Sequence, residues 1–502
     1  MITPQARTGA WPLSSACRVA LLLLVTGCNE APTEGTRPSA ASQALAATPS
    51  IAPGGRIQDS VAKYPSGTTF ILKAGVHRLE EVTPKSGMSF LGEPGTVLSG
   101  ARLLTTFTQR GAYWVATGQT QQGQRTSTTT AGGKPICLPR IPRCTYPEEL
   151  FNDDVRQREV ASLGQVTSGT WFFDYDADEI YLGSNPGGHT VETSVTPRAF
   201  RSTSGNVTIN GLVIEKYATP FTSGTVQADG SNWLIENNEV RYNHGIGIET
   251  GAGTVARTNH VHHNLQMGMG GAGNGAVVED NEIAYSNNPQ VIGYGWAAGG
   301  TKWHNTQNLT LRGNFVHHNK GPGLWTDIDN IYTLIEHNRV ENNSRFGIYR
   351  EVSYDAVIRY NTASSNGFTL PDTEPVRGGG IAIRSSSNIE IYSNTLAGNK
   401  AGIDINQNVT RAGAYGPYGV VNLYVHDNTV TMPKGLSGLT VGDGDPAFFT
   451  SKNNRFVHNT YNLGTQTRPF WWWNAATSRQ DSLTIAQWQA AGQDVTGTFN
   501  RP

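Results

Sequence analysis

From about residue 206 one short pattern recurs along the chain: an apolar-x-apolar step, two more residues, Asn-x-apolar-x-x-Asn, and later a Gly-apolar step. Copies include Asn238-Glu239-Val240-Arg241-Tyr242-Asn243, Asn259-His260-Val261-His262-His263-Asn264, Asn314-Phe315-Val316-His317-His318-Asn319, Asn338-Arg339-Val340-Glu341-Asn342-Asn343 and Asn394-Thr395-Leu396-Ala397-Gly398-Asn399. The leading asparagines fall at 238, 259, 281, 314, 338, 361, 394 and 428, so the unit is about 22 residues and three units carry insertions. A unit this short holds three brief strands and cannot bury its own apolar faces. Successive units must therefore stack, each on the last, at the ordinary strand spacing of about 4.8 Å. Asparagine suits the corners of such coils, because it tolerates the left-handed backbone and its amide can bond to copies above and below.

Asparagine marks the boundary of the repeat as well: 3 lie in residues 1–200 and 33 in residues 201–462. This pattern resembles the right-handed parallel β-helix of the pectate-lyase-like carbohydrate-active families. The resemblance covers roughly residues 51–470 and implies an all-β solenoid. A leucine-rich repeat would need a denser leucine frame. Residues 51–106 are expected to hold the N-terminal cap and the first coils, with Ile57–Ala62 forming a short helix over the open end and Thr69–His77 in the first coil. Residues 107–197 interrupt the repeat with alternating aromatic and β-branched stretches such as Trp171-Phe172-Phe173-Asp174-Tyr175, and resemble the small β-sandwich side domain inserted in some β-helix enzymes. The coils then run over 198–469, and residues 470–502, with Phe470-Trp471-Trp472-Trp473 and Trp488, close the far end.

Arg7 and Arg18 precede the apolar run Val19–Val25, too short to span a bilayer and followed by Val25-Thr26-Gly27-Cys28. Residues 1–27 read as a secretory signal, and the small residues before Cys28 resemble a bacterial lipobox, which implies lipidation of that thiol. Residues 28–50 read as a flexible tether. The expected location is a membrane-anchored lipoprotein exported to the periplasmic or cell-surface side. In an exported chain the two remaining cysteines, Cys137 and Cys144, are expected to pair. The formal charge of −1 gives no footprint for nucleic acid, and contact with a membrane is expected through the anchor only. A monomer is expected.

Outward side chains of a β-helix stand in columns, so residues a coil apart can act together. Aligning the Gly-apolar steps gives one column of Lys302, Trp325, Tyr349, Ala382 and Asp404, and a second of His304, Asp327, Glu351, Arg384 and Asn406. Base, acid, cation and aromatic groups thus converge in a pattern suited to polysaccharide cleavage. Lys302, Asp327, Glu351, Arg384 and His304 are the catalytic candidates. Trp325, Tyr349, Arg350 and Asn406 are the binding candidates, although Arg350 falls where Ile383 and Ile405 should point inward, which implies a bulge or a register slip. Insertions near 288–299, 367–378 and 407–420 would add Tyr294, Trp296, Arg377, Tyr415 and Tyr418 as walls. Asp329, Tyr354 and Asp355 lie beside the patch as weaker candidates.

Two chemistries fit. For β-elimination at a uronic acid, Lys302 or His304 would be the base, and Arg384 or a Ca²⁺ held by Asp327 and Glu351 would neutralise the carboxylate; otherwise no cofactor is expected. For hydrolysis, Asp327 and Glu351 would be the carboxyl pair. Elimination stands narrowly ahead of hydrolysis, with uronate epimerisation and a non-catalytic glycan-binding or adhesive protein as further readings. His262 and His317 share a column with Ala284 between them, about 10 Å apart by two strand spacings, too far for one zinc. The histidines are accordingly read as a polar outer face.

Overall fold

The computed structural model describes residues 48–501 except 124, 131–132, 294–296, 369–377, 443 and 475–481. The signal segment, Cys28 and most of the tether lie outside the described residues, as do Tyr294, Trp296 and Arg377.

Each 22-residue unit forms one coil of three strands, as in Leu234–Glu236, Glu239–Arg241 and Ile246–Thr250. Stacking the coils gives three long parallel sheets. The first has 13 strands, from Ser50–Ile51 to Arg455–Val457; the second has 13, from Gly75–Arg78 to Thr498–Asn500; the third has 11, from Phe200–Ser202 to Phe470–Asn474. The apolar steps point inward and align residue on residue. Ile235, Ala256, Val278, Leu311, Ile335 and Ile358 pair in register along the first sheet, all fully buried.

The asparagines form two buried ladders, one at the corner before the second sheet and one at the corner after it. Asn338 donates both its backbone N–H and its Nδ2 to Asn361 Oδ1, at 3.0 and 2.9 Å, while Nδ2 also reaches Leu311 O in the preceding coil. The second ladder runs through Asn319, Asn343, Asn366 and Asn399 in the same way. The left-handed backbone expected at these asparagines belongs instead to the residue before each: Asn237, Thr258, His337 and Tyr360 on one ladder, Tyr242, His263, His318 and Asn342 on the other. Turning the chain there points the asparagine amide inward, where unpaired backbone carbonyls need donors. The Gly-apolar repeat follows from the second ladder. A Cβ on Gly323 would stand 2.8 Å from Asn343 Nδ2, and one on Gly380 2.6 Å from Asn399 Nδ2.

Both ends are closed. The helix Ile57–Lys63 lays Ile57 and Val61 on the first coil, and the helix Ile485–Ala490, started by a Thr484/Gln487 capping box, stacks Trp488 on Phe470 at 4.6 Å. Phe470–Asn474 is itself the last strand of the third sheet, so the closing element is the helix behind it.

The insertion is a two-sheet sandwich with its own core of Leu104, Leu150, Trp171, Phe173, Ile180 and Val191. It begins at Ala101–Leu104, which pairs antiparallel with Val191–Ser194, six residues before the sequence boundary of 107. It is tied to the coils through Lys216, which bonds Asp154 and Glu192, and through Arg78, 2.6 Å from Glu192. Cys137 and Cys144 are joined in a disulfide, and Leu138 N donates to Val291 O, fastening this segment to the coil insertion at 288–293.

Candidate active site

The third sheet carries the predicted columns. Asp327 pairs with Glu351, Glu351 with Arg384, and Arg384 with Asn406; Tyr349 lies between Trp325 and Ala382, and Ala382 pairs with Asp404. The strands Gly299–Trp303, Leu324–Asp327, Ile348–Glu351, Gly379–Arg384 and Ala401–Gln407 thus set five successive coils side by side.

Two ion pairs organise the patch. Lys302 Nζ donates to Asp327 Oδ2 at 2.7 Å and stands 3.9 Å from the centre of the Trp325 ring. One step along, Arg384 donates to Asp404 Oδ2 at 2.9 Å and to the carbonyls of Ile383 and Asp404. Between them lies Glu351, partly exposed and hydrogen-bonded to Tyr349. Burial pushes its carboxyl above the ordinary range, the neighbouring Asp327 charge adds to this, and Lys302 and Arg384 oppose it. Burial likewise holds the Tyr349 phenol well above its ordinary range, so it is a neutral hydroxyl donor beside Glu351.

Several predicted roles are not what the geometry provides. Trp325 and Tyr349 are 3% and 4% exposed; their rings stack at 5.5 Å, one face of Trp325 is covered by Lys302, and Phe346 stacks on Tyr349 at 4.4 Å. These rings are the packed floor of the patch rather than an open sugar platform. Arg384 is 1% exposed and held by Asp404, so it does not present itself to a substrate carboxylate.

Arg350 is in register with Ile383, and neither a bulge nor a slip is present. Its guanidinium points into the coil, fully buried, donating to Thr326 Oγ1 and to the carbonyls of Asn330 and Tyr354. Burial pushes it down to about 9, and its donors serve backbone carbonyls rather than a sugar.

His304 is exposed at the strand end, sharing a hydrogen bond with Asn305 at 2.9 Å, and Asn406 donates to Thr440 Oγ1 at 2.7 Å. Asp329 accepts from Tyr418 Oη and Ala414 N, and Tyr354 donates to Gly416 O, so these residues anchor the 407–420 insertion. Tyr418 is buried in that anchor, whereas Tyr415 is exposed. Asp355 accepts from Asn388 Nδ2 at 3.4 Å and pins a turn. Phe346 and the Asp404 partnership escaped the sequence reading: Phe346 precedes the aligned glycine, while Asp404 already stood in the first column beside Arg384.

A Ca²⁺ at Asp327 and Glu351 does not fit this donor set. The Lys302 ammonium occupies the Asp327 carboxylate, and a hard cation needs six to eight oxygens.

Residues 223–396 match the family model described as the right handed beta helix region. No curated protein matches the chain. Among solved structures, the complex of XylC with xylose is similar, at 15% identity over 85% of this chain and 82% of that one, with a TM-score of 0.61. The A-module of the Azotobacter vinelandii mannuronan C-5 epimerase AlgE6 is similar at 13% identity over 89% and 93%, with a TM-score of 0.50. At these identities the likeness shows the fold alone. With three stacked parallel sheets, Asn ladders at two corners and a family match across the central coils, the chain is a right-handed parallel β-helix protein.

Proposed function

We propose that the protein hydrolyses glycosidic bonds, with Asp327 as the nucleophile and Glu351 as the general acid and then base. One observation carries this reading: two carboxyl groups stand in register on adjacent strands, one of them ion-paired with Lys302 and the other, Glu351, raised above its ordinary range by burial. Lys302 Nζ lies against Asp327, while burial, with the neighbouring Asp327 charge, pushes the Glu351 carboxyl upward, the direction a general acid needs. Adjacent strands lie about 4.8 Å apart, compatible with the roughly 5–5.5 Å between carboxyl groups in retaining hydrolysis. Glu351 would protonate the departing oxygen while Asp327 attacks the anomeric carbon; Glu351 would then take a proton from water as that water releases the sugar. Elimination ranks lower in this reading because Lys302 and Arg384 are each engaged with a carboxylate, which leaves only the exposed His304 as a base. The fold's likeness to a protein solved with xylose supports a carbohydrate substrate. The Cys137–Cys144 disulfide supports export to an oxidising compartment, consistent with anchoring through Cys28.

The test is a panel of neutral and acidic glycans and aryl glycosides, recording new reducing ends and ultraviolet absorbance from unsaturated uronate ends. Hydrolysis gives reducing ends alone. Glu351→Gln should lower turnover of unactivated glycosides about 10²- to 10⁴-fold yet spare bond cleavage in aryl glycosides whose leaving group needs no proton. Asp327→Asn should lose both. Absorbance rising with reducing ends would replace this reading by elimination, and no cleavage of any glycan would favour a binding protein.

A further inference from the structure

The second sheet carries a histidine cluster on different strands from the Asp327/Glu351 patch. His260 and His262 alternate on the strand His260–His262, so both rings lie on its outer side, stacked with centroids 4.0 Å apart. Glu239, on the adjacent strand, is the register partner of His260. Its Oε1 lies 3.1 Å from His262 Nε2, and one ligand atom from each of the three residues lies within 4.8 Å of the others. No other group of three or more such residues among the described ones is so close.

We propose that Glu239, His260 and His262 bind one zinc-like divalent transition-metal ion on the outer face of the second sheet. His262 and His317 lie two strands apart with Ala284 between them. The relevant neighbours are instead across a single strand spacing and two positions along one strand.

Two imidazoles and a carboxylate are the donor set of a three-ligand zinc site, with water in the fourth position. Ligand atoms on a tetrahedral ion with bonds of about 2.0–2.1 Å lie roughly 3.4 Å apart, close to the spacing already present between His262 and Glu239. The strands are held by the ladder on both sides, so little ordering remains to be done on binding.

The surroundings orient the ligands. His262 Nδ1 is 2.7 Å from His263 Nδ1, which leaves Nε2 as the ligating nitrogen when Nδ1 carries the proton. Arg241 holds Glu239 Oε1 at 2.5 Å but also pairs with Glu215 at 2.8 Å, so it keeps a carboxylate partner when Glu239 turns to an ion. His260 is 46% exposed at its side chain and gives the ion a path from solvent. Oxygen-seeking Ca²⁺ and Mg²⁺ would be poor occupants of a site with two imidazoles.

The experiment uses the metal-stripped protein, titrated with Zn²⁺ by calorimetry and with Co²⁺ by visible absorption. One ion per chain is expected, with the intense bands of four-coordinate Co²⁺. His260→Gln and His262→Gln should each weaken binding by more than about tenfold, with circular dichroism unchanged. His317→Gln, two strands away, should leave affinity and stoichiometry as they are. If Zn²⁺ binds the His260→Gln/His262→Gln protein as tightly as the parent, or if His317→Gln loses as much as His260→Gln, the assignment is overturned. A chain that binds neither ion overturns it equally, leaving an ordinary His–Glu surface ladder.

Discussion

Replacing Asn343 by alanine tests whether the asparagine ladder holds the strands that carry Asp327 and Glu351 in register. Asn343 is 1% exposed and immediately precedes the segment leading to Ile348–Glu351. Its Oδ1 accepts from Asn319 N at 3.2 Å and Asn319 Nδ2 at 2.9 Å, while its Nδ2 donates to Val316 O and Asn366 Oδ1. Alanine leaves two buried donors of Asn319 without that acceptor, and Val316 O without that donor. Each orphaned buried group costs about 1–3 kcal/mol, and partial relaxation brings the sum to about 2–4 kcal/mol. Because a solenoid is stabilised between neighbours, the loss should be local. Amide hydrogen exchange is therefore the assay: protection across residues 316–351 should fall by about 30-fold to about 1,000-fold, a tenfold change being about 1.4 kcal/mol. Coils near Ile235 should change little. A fall of less than about threefold would refute the argument that these amides bear the corner's hydrogen-bonding load, as would an equal loss at every coil.

The remaining predictions concern the charged patch. If Glu351 must be protonated, it sets the alkaline limb of the rate profile; Lys302→Met removes a cation that favours its charged form and should move that limb to higher pH. Asp327→Asn removes a like charge and should let Glu351 lose its proton at lower pH, read by carboxyl infrared difference spectra. Shifts in the same direction would contradict the coupling. Asp404→Asn leaves the buried Arg384 guanidinium without its paired carboxylate and should cost about 3–5 kcal/mol by chemical denaturation. A loss under about 1 kcal/mol would show that the carbonyls of Ile383 and Asp404 suffice to hold that charge.

The coil, its three strands and the order of the outward columns were legible in the sequence, because each depends on periodicity. One apolar residue per inward position and one asparagine per corner fix the register, and register places Asp327 beside Glu351 and Glu351 beside Arg384 whatever the rest of the chain does. The disulfide and the N-terminal capping helix were legible for similarly local reasons, whereas the aromatic run at the far end marked a cap without showing that its closing element is the helix Ile485–Ala490. What only the tertiary structure decided is which members of those columns remain available. Arg350 turned into the coil because carbonyls at a corner needed donors, Lys302 covered Trp325, and Asp404 took Arg384. Such pairings depend on side-chain rotamers, on neighbours two positions along the next coil, and on where insertions such as 407–420 fold back. A one-dimensional repeat specifies where a side chain starts, but the competition for hydrogen bonds and burial in three dimensions determines where it ends.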